Sequence, residues 1–187
     1  MPLFRESDLP LYRWTSERYV APLATVIGRA HPPRVAGEEE RPARPAADLT
    51  PFRPPRLLSE YAHGPRLLSA CGAGSGAFAL RPLPNHEAGV CLESVAASVT
   101  GGRDAIVLVP EAEPIPDTAR AVVEAFGEAA LLLVGGDRRH RYRAWLDILA
   151  GRYRVVVGTH PAVFAPLPRL GLVWVNREAH PGHREER

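Results

Sequence analysis

Four short stretches of this 187-residue chain carry side chains able to do chemistry. Asp137 stands directly before Arg138, Arg139, His140 and Arg141, and His160 follows Gly158 and Thr159. His86 and Glu87 sit side by side in a proline-containing loop, and Asn176, Arg177, Glu178 and His180 follow the last apolar run. A carboxylate and an imidazole are the parts of a general acid–base pair, so Asp137 with His160 could seed the site of a small enzyme. Three arginines in one first helical turn oppose the helix dipole, a mild penalty that a bound anion such as a phosphate relieves. A solvated charged face is the plainer alternative. His180 and His183, with Glu178 and Glu185, are metal-ligand types, but they lie on a Pro-Gly turn near the end of the sequence. Metal sites need fixed geometry and a supporting shell, so no metal is expected there and a flexible polar tail is.

The glycine run Gly72-Ala73-Gly74-Ser75-Gly76 invites a phosphate-loop reading. A phosphate loop follows a strand and opens a helix, whereas these glycines follow a helical stretch and precede an apolar one, and no Lys-Ser/Thr pair accompanies them. A phosphate role is therefore not assigned to them.

The elements that must position these residues are legible from apolar patterning. Val155–Val157 and Leu172–Val175 are short apolar runs bounded by turn residues, the form of buried parallel strands. Ala77–Leu80, Ala105–Val109 and Ala130–Val134 complete an expected set of five. Helices are expected over 117–126, with Asp117 as N-cap, and over 138–150, with Tyr142, Trp145, Leu146 and Leu149 inward. Leu92, Val95 and Val99 mark a helix ended by Gly101-Gly102. Strands alternating with helices make a doubly wound, mostly parallel α/β sheet, in which ligands bind beyond the carboxyl ends of the strands. Thr159 and His160 follow such an end.

Upstream, residues 8–30 read as a helix broken at Pro22, with Asp8 as N-cap and an apolar stripe of Leu11, Trp14, Tyr19, Leu23, Val26 and Ile27. Residues 31–55 hold seven prolines around Glu38-Glu39-Glu40, which predicts an extended linker without packing. Residues 56–71 return to helical composition, interrupted at Gly64-Pro65.

Composition narrows the classes. Hydrophobic residues make up 45% and the net charge is only +2, so bulk charge alone does not argue for nucleic acid. All 23 basic residues are arginine, which excludes phosphate-loop and Schiff-base lysines. No apolar run reaches the ~20 residues of a membrane span. Cys71 and Cys91 form no CxxC pair, so neither zinc nor a disulfide framework is indicated and a cytoplasmic setting is expected.

The segment GTHPAVFAPLPRLGLVWV, with LVPEAEP upstream, resembles the GTRSAxFAP–LGLxxVD and LVPEIAL segments of the primosomal protein N′ family of bacterial replication-restart helicases. The resemblance covers residues 56–180 and, more loosely, 9–35. It implies a RecA-like first motor lobe, a remnant of an N-terminal DNA-binding domain, and DNA as partner. Active members carry a phosphate-loop lysine and an acidic DEAH box. Here alignment puts His86 and Glu87 at the lysine region, and Asn176, or Arg177 in a shifted alignment, at the magnesium aspartate, with Glu178 beside it. Pro82 and Pro84 also remove donors from the would-be phosphate nest. The chain therefore resembles a degenerate, actinobacterial-type member without ATPase motifs.

The reading is a helical remnant (1–30), a proline-rich linker (31–55), a RecA-like lobe (56–176) and a polar tail (177–187), expected to be part of a longer protein. Its expected function is noncatalytic replication restart: binding branched or forked DNA at the nucleoid, or holding other primosome proteins. Thr159 and His160 are the first candidate DNA contacts, then Arg138, Arg139 and Arg141. The family's ATP, magnesium and zinc sites are missing, so no cofactor is expected. The alternatives are the Asp137/His160 enzyme and a protein–protein scaffold.

Overall fold

Strand β1, Asp104–Leu108, is buried along its whole length, and the sheet is built around it. The computed structural model describes residues 3–49, 52–111 and 113–183. Beside β1 on one side lie β3 (Val155–Gly158) and then β2 (Ala130–Leu133), and on the other lies β4 (Leu170–Val175). The order is β2-β3-β1-β4 and every pair is parallel. Such a sheet must be covered on both faces. Ala105 and Val107 pack with α4 (Glu87–Thr100) and α5 (Asp117–Phe126) on one face. Ile106 and Leu108 meet α6 (Arg138–Leu149) and the segment Tyr153–Leu167 on the other. This is the doubly wound, RecA-like α/β lobe expected.

Several expectations are corrected in detail. Four strands form among the described residues, not five. Ala77–Leu80 forms no strand and instead lines, together with the outer edge of β4, an open groove of about 1100 Å³. An apolar run becomes a strand only when a neighbour takes its backbone groups, and among the described residues none pairs with this one, although Leu80 packs on the cluster of Leu58, Leu67 and Val90. Gly64-Pro65 does not interrupt a helix but starts α3 (Gly64–Ala73). A Cβ on Gly64 would lie 1.6 Å from the Leu58 carbonyl oxygen, so only glycine fits where the short helix Leu57–Glu60 turns into α3. Asp117 is the first residue of α5, and Pro116 is its cap.

The N-terminal helices are α1 (Leu9–Arg18) and α2 (Leu23–Ala30), broken around Pro22 as expected. Their inward face differs from the predicted stripe. Trp14 and Tyr19 are exposed at 57% and 69%, whereas Tyr12 is buried between Phe4 and Phe164. Arg5 reaches the carbonyls of Pro166 and Leu149, and the Trp145 indole donates to that of Leu3 at 2.7 Å. These bonds dock the N-terminal helices on the lobe.

The linker is also packed, contrary to expectation. Residues 34–47 run across α6 as a strap, and Phe52 then stacks edge-on against Phe126 at 4.9 Å. Proline lacks an N–H but keeps its carbonyl, and arginines of the lobe supply the donors. Arg143 bonds the carbonyls of Glu38, Arg41 and Pro42, and Arg152 that of Pro45. Residues 177–183 are likewise ordered, ending in the short helix Pro181–His183, and residues 184–187 of the expected tail lie outside the described residues.

Candidate functional site

Leu108 of β1 and Leu133 of β2 both lie opposite Gly158 of β3, so three strands end at one level. Gly158 is required there, since a Cβ would lie 2.7 Å from that of Ala162 and 2.9 Å from the Leu133 oxygen. At this carboxyl end the chain leaves β2 through Gly135-Gly136 into α6, leaves β3 through Thr159, and leaves β4 through Asn176. All the candidate residues except His86 and Glu87 follow directly from these strand ends. They fall into two groups on opposite sides of β3 and β1, and at a strand spacing of about 4.8 Å the β2 and β4 ends are roughly 14 Å apart.

On the β4 side, the two motifs aligned with nucleotide chemistry are joined by an ion pair. Glu87 is the first residue of α4, and its carboxylate accepts from Arg177 Nε at 3.1 Å and Nη2 at 3.0 Å. Arg177 holds φ +52, a left-handed conformation uncommon in a non-glycine residue. His86 precedes Glu87, and its Nδ1 lies 3.1 Å from the Tyr61 hydroxyl, which also accepts from the Leu83 N–H. Asn176 is buried; its N–H donates to Leu108 and its main-chain oxygen faces His183 Nε2 at 2.8 Å. Glu178 is exposed in the turn that follows. His180 meets Glu111 at 3.5 Å rather than joining His183 in a shared site. Among the described residues no group of three His, Cys, Asp or Glu could hold a metal, and Glu185 lies outside them.

On the β2 and β3 side, Asp137 caps α6: its Oδ1 accepts the His140 N–H at 2.7 Å. That use of the carboxylate explains the residue without an enzyme, and no hydrogen bond joins Asp137 to His160 among the described residues. Thr159 is partly buried ahead of the short helix His160–Phe164, and His160 is exposed. Arg138, Arg139 and Arg141 are exposed on the first turn of α6. Two of them are engaged by the strap. Arg138 donates to the Arg34 carbonyl at 2.6 Å, and Arg139 pairs with Glu38 at 2.9 Å.

The strap's own charges are tightly arranged. The Glu39 carboxylate accepts from Arg34 Nε and Nη2, at 2.8 and 2.7 Å, and from the Tyr142 hydroxyl at 2.5 Å. Its carboxyl is held down at about 2, first by the Arg34 hydrogen bonds and then by Tyr142. The Tyr142 phenol is pushed up to about 12 by burial and by that same carboxylate. Sequence reading missed Glu38, Glu39, Tyr61 and Tyr142 as partners of the site. The acidic triplet was visible, but nothing in the linker's composition says which helix it meets. The thiols offer no chemistry here: Cys71 and Cys91 are buried and unbridged, and burial raises both.

No protein-family model matches the chain. Among curated proteins it is similar to a "Probable replication restart protein PriA" of Mycobacterium leprae, at 34% identity over 171 residues, covering 87% of this chain and 26% of the relative. The corresponding protein of Mycobacterium tuberculosis (strain H37Rv) is 33% identical over 176 residues, 91% of this chain and 27% of the relative. A replication restart protein PriA of Treponema pallidum is 28% identical over 180 residues, 94% of this chain and 27% of the relative. The chain thus spans about a quarter of the length of these relatives.

Proposed function

The chain belongs to the family of the replication restart protein PriA, and from that premise we propose that it is a nucleic-acid-binding lobe of a replication restart protein that works without hydrolysing ATP. The observation that carries this reading is the Glu87–Arg177 pair. A nucleotide with magnesium asks for a cation and free N–H donors at the start of α4, and a carboxylate at the end of β4. Here the signs are reversed, with a carboxylate on α4 and a guanidinium after β4, and the two neutralise each other. Pro82 and Pro84 offer no N–H in the preceding loop. These residues do not fit a magnesium nucleotide, so no step is routed through one.

What remains at the strand ends suits DNA. Thr159, His160 and Arg141 are at least partly open to solvent, and Arg138 and Arg139 lie on the same turn as Arg141. Arginines and a hydroxyl are phosphate-contacting groups, and such contacts position a duplex rather than read its sequence. Branched DNA and other primosome proteins are the proposed partners. Among the described residues no helix is long and apolar enough to cross a membrane.

The test is binding of a labelled DNA fork and of linear duplex, each at two salt concentrations. Preference for the fork is expected, with a salt slope that flattens by up to about 3 when Arg138, Arg139 and Arg141 become alanine. Equal binding to both substrates would remove the fork reading, and an unchanged slope would remove these arginines from the site.

A further inference from the structure

The strap that covers α6 is held in an unusual way. Of residues 33–46, only Val35, Glu38 and Glu39 are less than exposed, so little apolar surface fastens it. Its attachment is ionic and polar: Glu38 to Arg139, Arg138 to the Arg34 carbonyl, Tyr142 to Glu39, and Arg143 to three carbonyls. Glu38 is 1% exposed and lies beneath Arg139 and Arg41, at 2.9 and 3.4 Å. Yet neither of its carboxylate oxygens makes a hydrogen bond of good geometry among the described residues. A buried carboxylate balanced by ion pairs alone returns little net stability, because desolvation offsets the Coulomb gain. Such a contact gives way to a competing anion more readily than an apolar interface does. Gly37, at φ +83, makes the turn that delivers Glu38 and Glu39 to α6, and prolines flank the segment at 32–33 and 42.

A carboxylate paired with arginine and a phosphate paired with arginine use the same donors. We propose that residues 31–47 form an autoinhibitory strap in which Glu38 stands in for a phosphate on Arg139, Arg34 offers its carbonyl to Arg138 and Glu39 ties the strap to Tyr142, so that nucleic acid reaches Arg138 and Arg139 only by displacing it. This rests on the reading that the α6 arginines contact DNA, and it adds regulation of that site. In the closed form Arg141 is the arginine of that turn with no partner among the described residues, and it gives an incoming strand its first foothold. A polyanion then replaces the Glu38 carboxylate on Arg139 and the Arg34 carbonyl on Arg138 with phosphates.

The experiment uses the 187-residue chain and a fluorescein-labelled DNA fork. E38Q/E39Q keeps side-chain size and removes both charges. It is expected to bind the fork more tightly than the wild type with a similar salt slope, since both complexes make the same phosphate contacts once the strap is displaced and only the cost of displacing it differs. As a readout independent of folding of the variant, hydrogen exchange is followed in the wild type with and without saturating fork. Amides of residues 34–47, including the Ala47 N–H that donates to the Arg152 carbonyl, are expected to exchange faster when DNA is bound. Unchanged affinity in E38Q/E39Q, or strap amides that stay equally protected or gain protection, would overturn the strap. R138A/R139A/R141A separates the two readings. If it weakens binding while E38Q/E39Q changes nothing, the strap fails alone. If it leaves binding unchanged, the DNA site fails and the strap with it.

Discussion

Reversing one end of the Glu87–Arg177 pair measures whether the chain's own charges hold the β4 side of the crevice. Both side chains are partly exposed, Glu87 at 37% and Arg177 at 58%, with nitrogen and oxygen 3.0 Å apart. At that exposure an ion pair contributes about 0–1 kcal/mol, and Coulomb's law in water gives about 1 kcal/mol at 4 Å. E87K loses the attraction and adds a repulsion of similar size, so a destabilisation of about 1–2 kcal/mol is expected. For a domain of 150–250 residues each kcal/mol moves the thermal midpoint by about 2–4 °C, which puts the shift at roughly 2–8 °C. R177E should do the same, and the double variant E87K/R177E should recover most of the loss. Differential scanning fluorimetry of the four proteins reads the cycle, and single losses that simply add in the double variant would refute the pairing. The same assay tests the nucleotide argument. A ligand at 100 times its Kd raises stability by about 2.7 kcal/mol, a shift of roughly 5–11 °C. Magnesium ATP should leave the wild-type midpoint unmoved, and a shift of that size would sink the proposal that the site rejects nucleotide.

Two further outcomes are expected. The Glu39 carboxyl is held at about 2 by Arg34 and Tyr142, below its ordinary 4.5. Because the folded value is the lower one, its contribution to holding the strap is present above about pH 4.5 and fades as the pH falls towards 2. A carboxyl NMR titration should place its midpoint near 2, and a midpoint near 4.5 would mean the strap is undocked in solution. At the other end of the sheet, Asp104 is fully buried, paired with Arg154 at 2.5 Å, and accepts the Arg169 N–H at 3.0 Å. Asp104→Ala leaves that guanidinium uncompensated and should cost about 3–5 kcal/mol by denaturant unfolding. Fork affinity at temperatures where the variant stays folded should not change, and a loss there would place the DNA contacts elsewhere.

What could be read from the sequence divides along physical lines. β1 and β3 were legible because a strand buried on both faces has no room for polar residues, and Ala105–Val109 and Val155–Val157 have none. α5 and α6 followed from helical spacing, and the resemblance to the replication-restart family rested on the turns after β1 and β3. Ala77–Leu80 has the same apolar look, yet no strand forms, because pairing depends on a neighbour that local composition does not reveal. On α1, Trp14 and Tyr12 are equally credible anchors by hydrophobicity; the positions of Phe4 and Phe164 select Tyr12. The linker was misread because proline content reports lost donors and says nothing of the carbonyls that Arg143 and Arg152 could take up. Glu87 and Arg177 each stand out in their own motif, but a contact across 90 residues is invisible to any local pattern.

The two closures at the strand ends are alike in chemistry and unlike in mechanics. Glu87 and Arg177 join the first turn of α4 to the turn after β4, two fixed points of one scaffold. Separating them requires only side-chain rotation, and nothing larger follows from it. Glu38 and Glu39 belong to a segment with almost no apolar anchor, fixed at one end by α2 and at the other by Phe52 against Phe126. Breaking its ion pairs, together with the arginine–carbonyl bonds that accompany them, therefore frees a whole length of chain. Salt and polyanions act on both closures, but only the second can convert a change in charge pairing into a change in which surface is exposed. On the reading proposed above, a lobe that rejects nucleotide would have no hydrolytic cycle to open and close its binding face, and a strap released by the nucleic acid itself would perform that opening through binding energy alone.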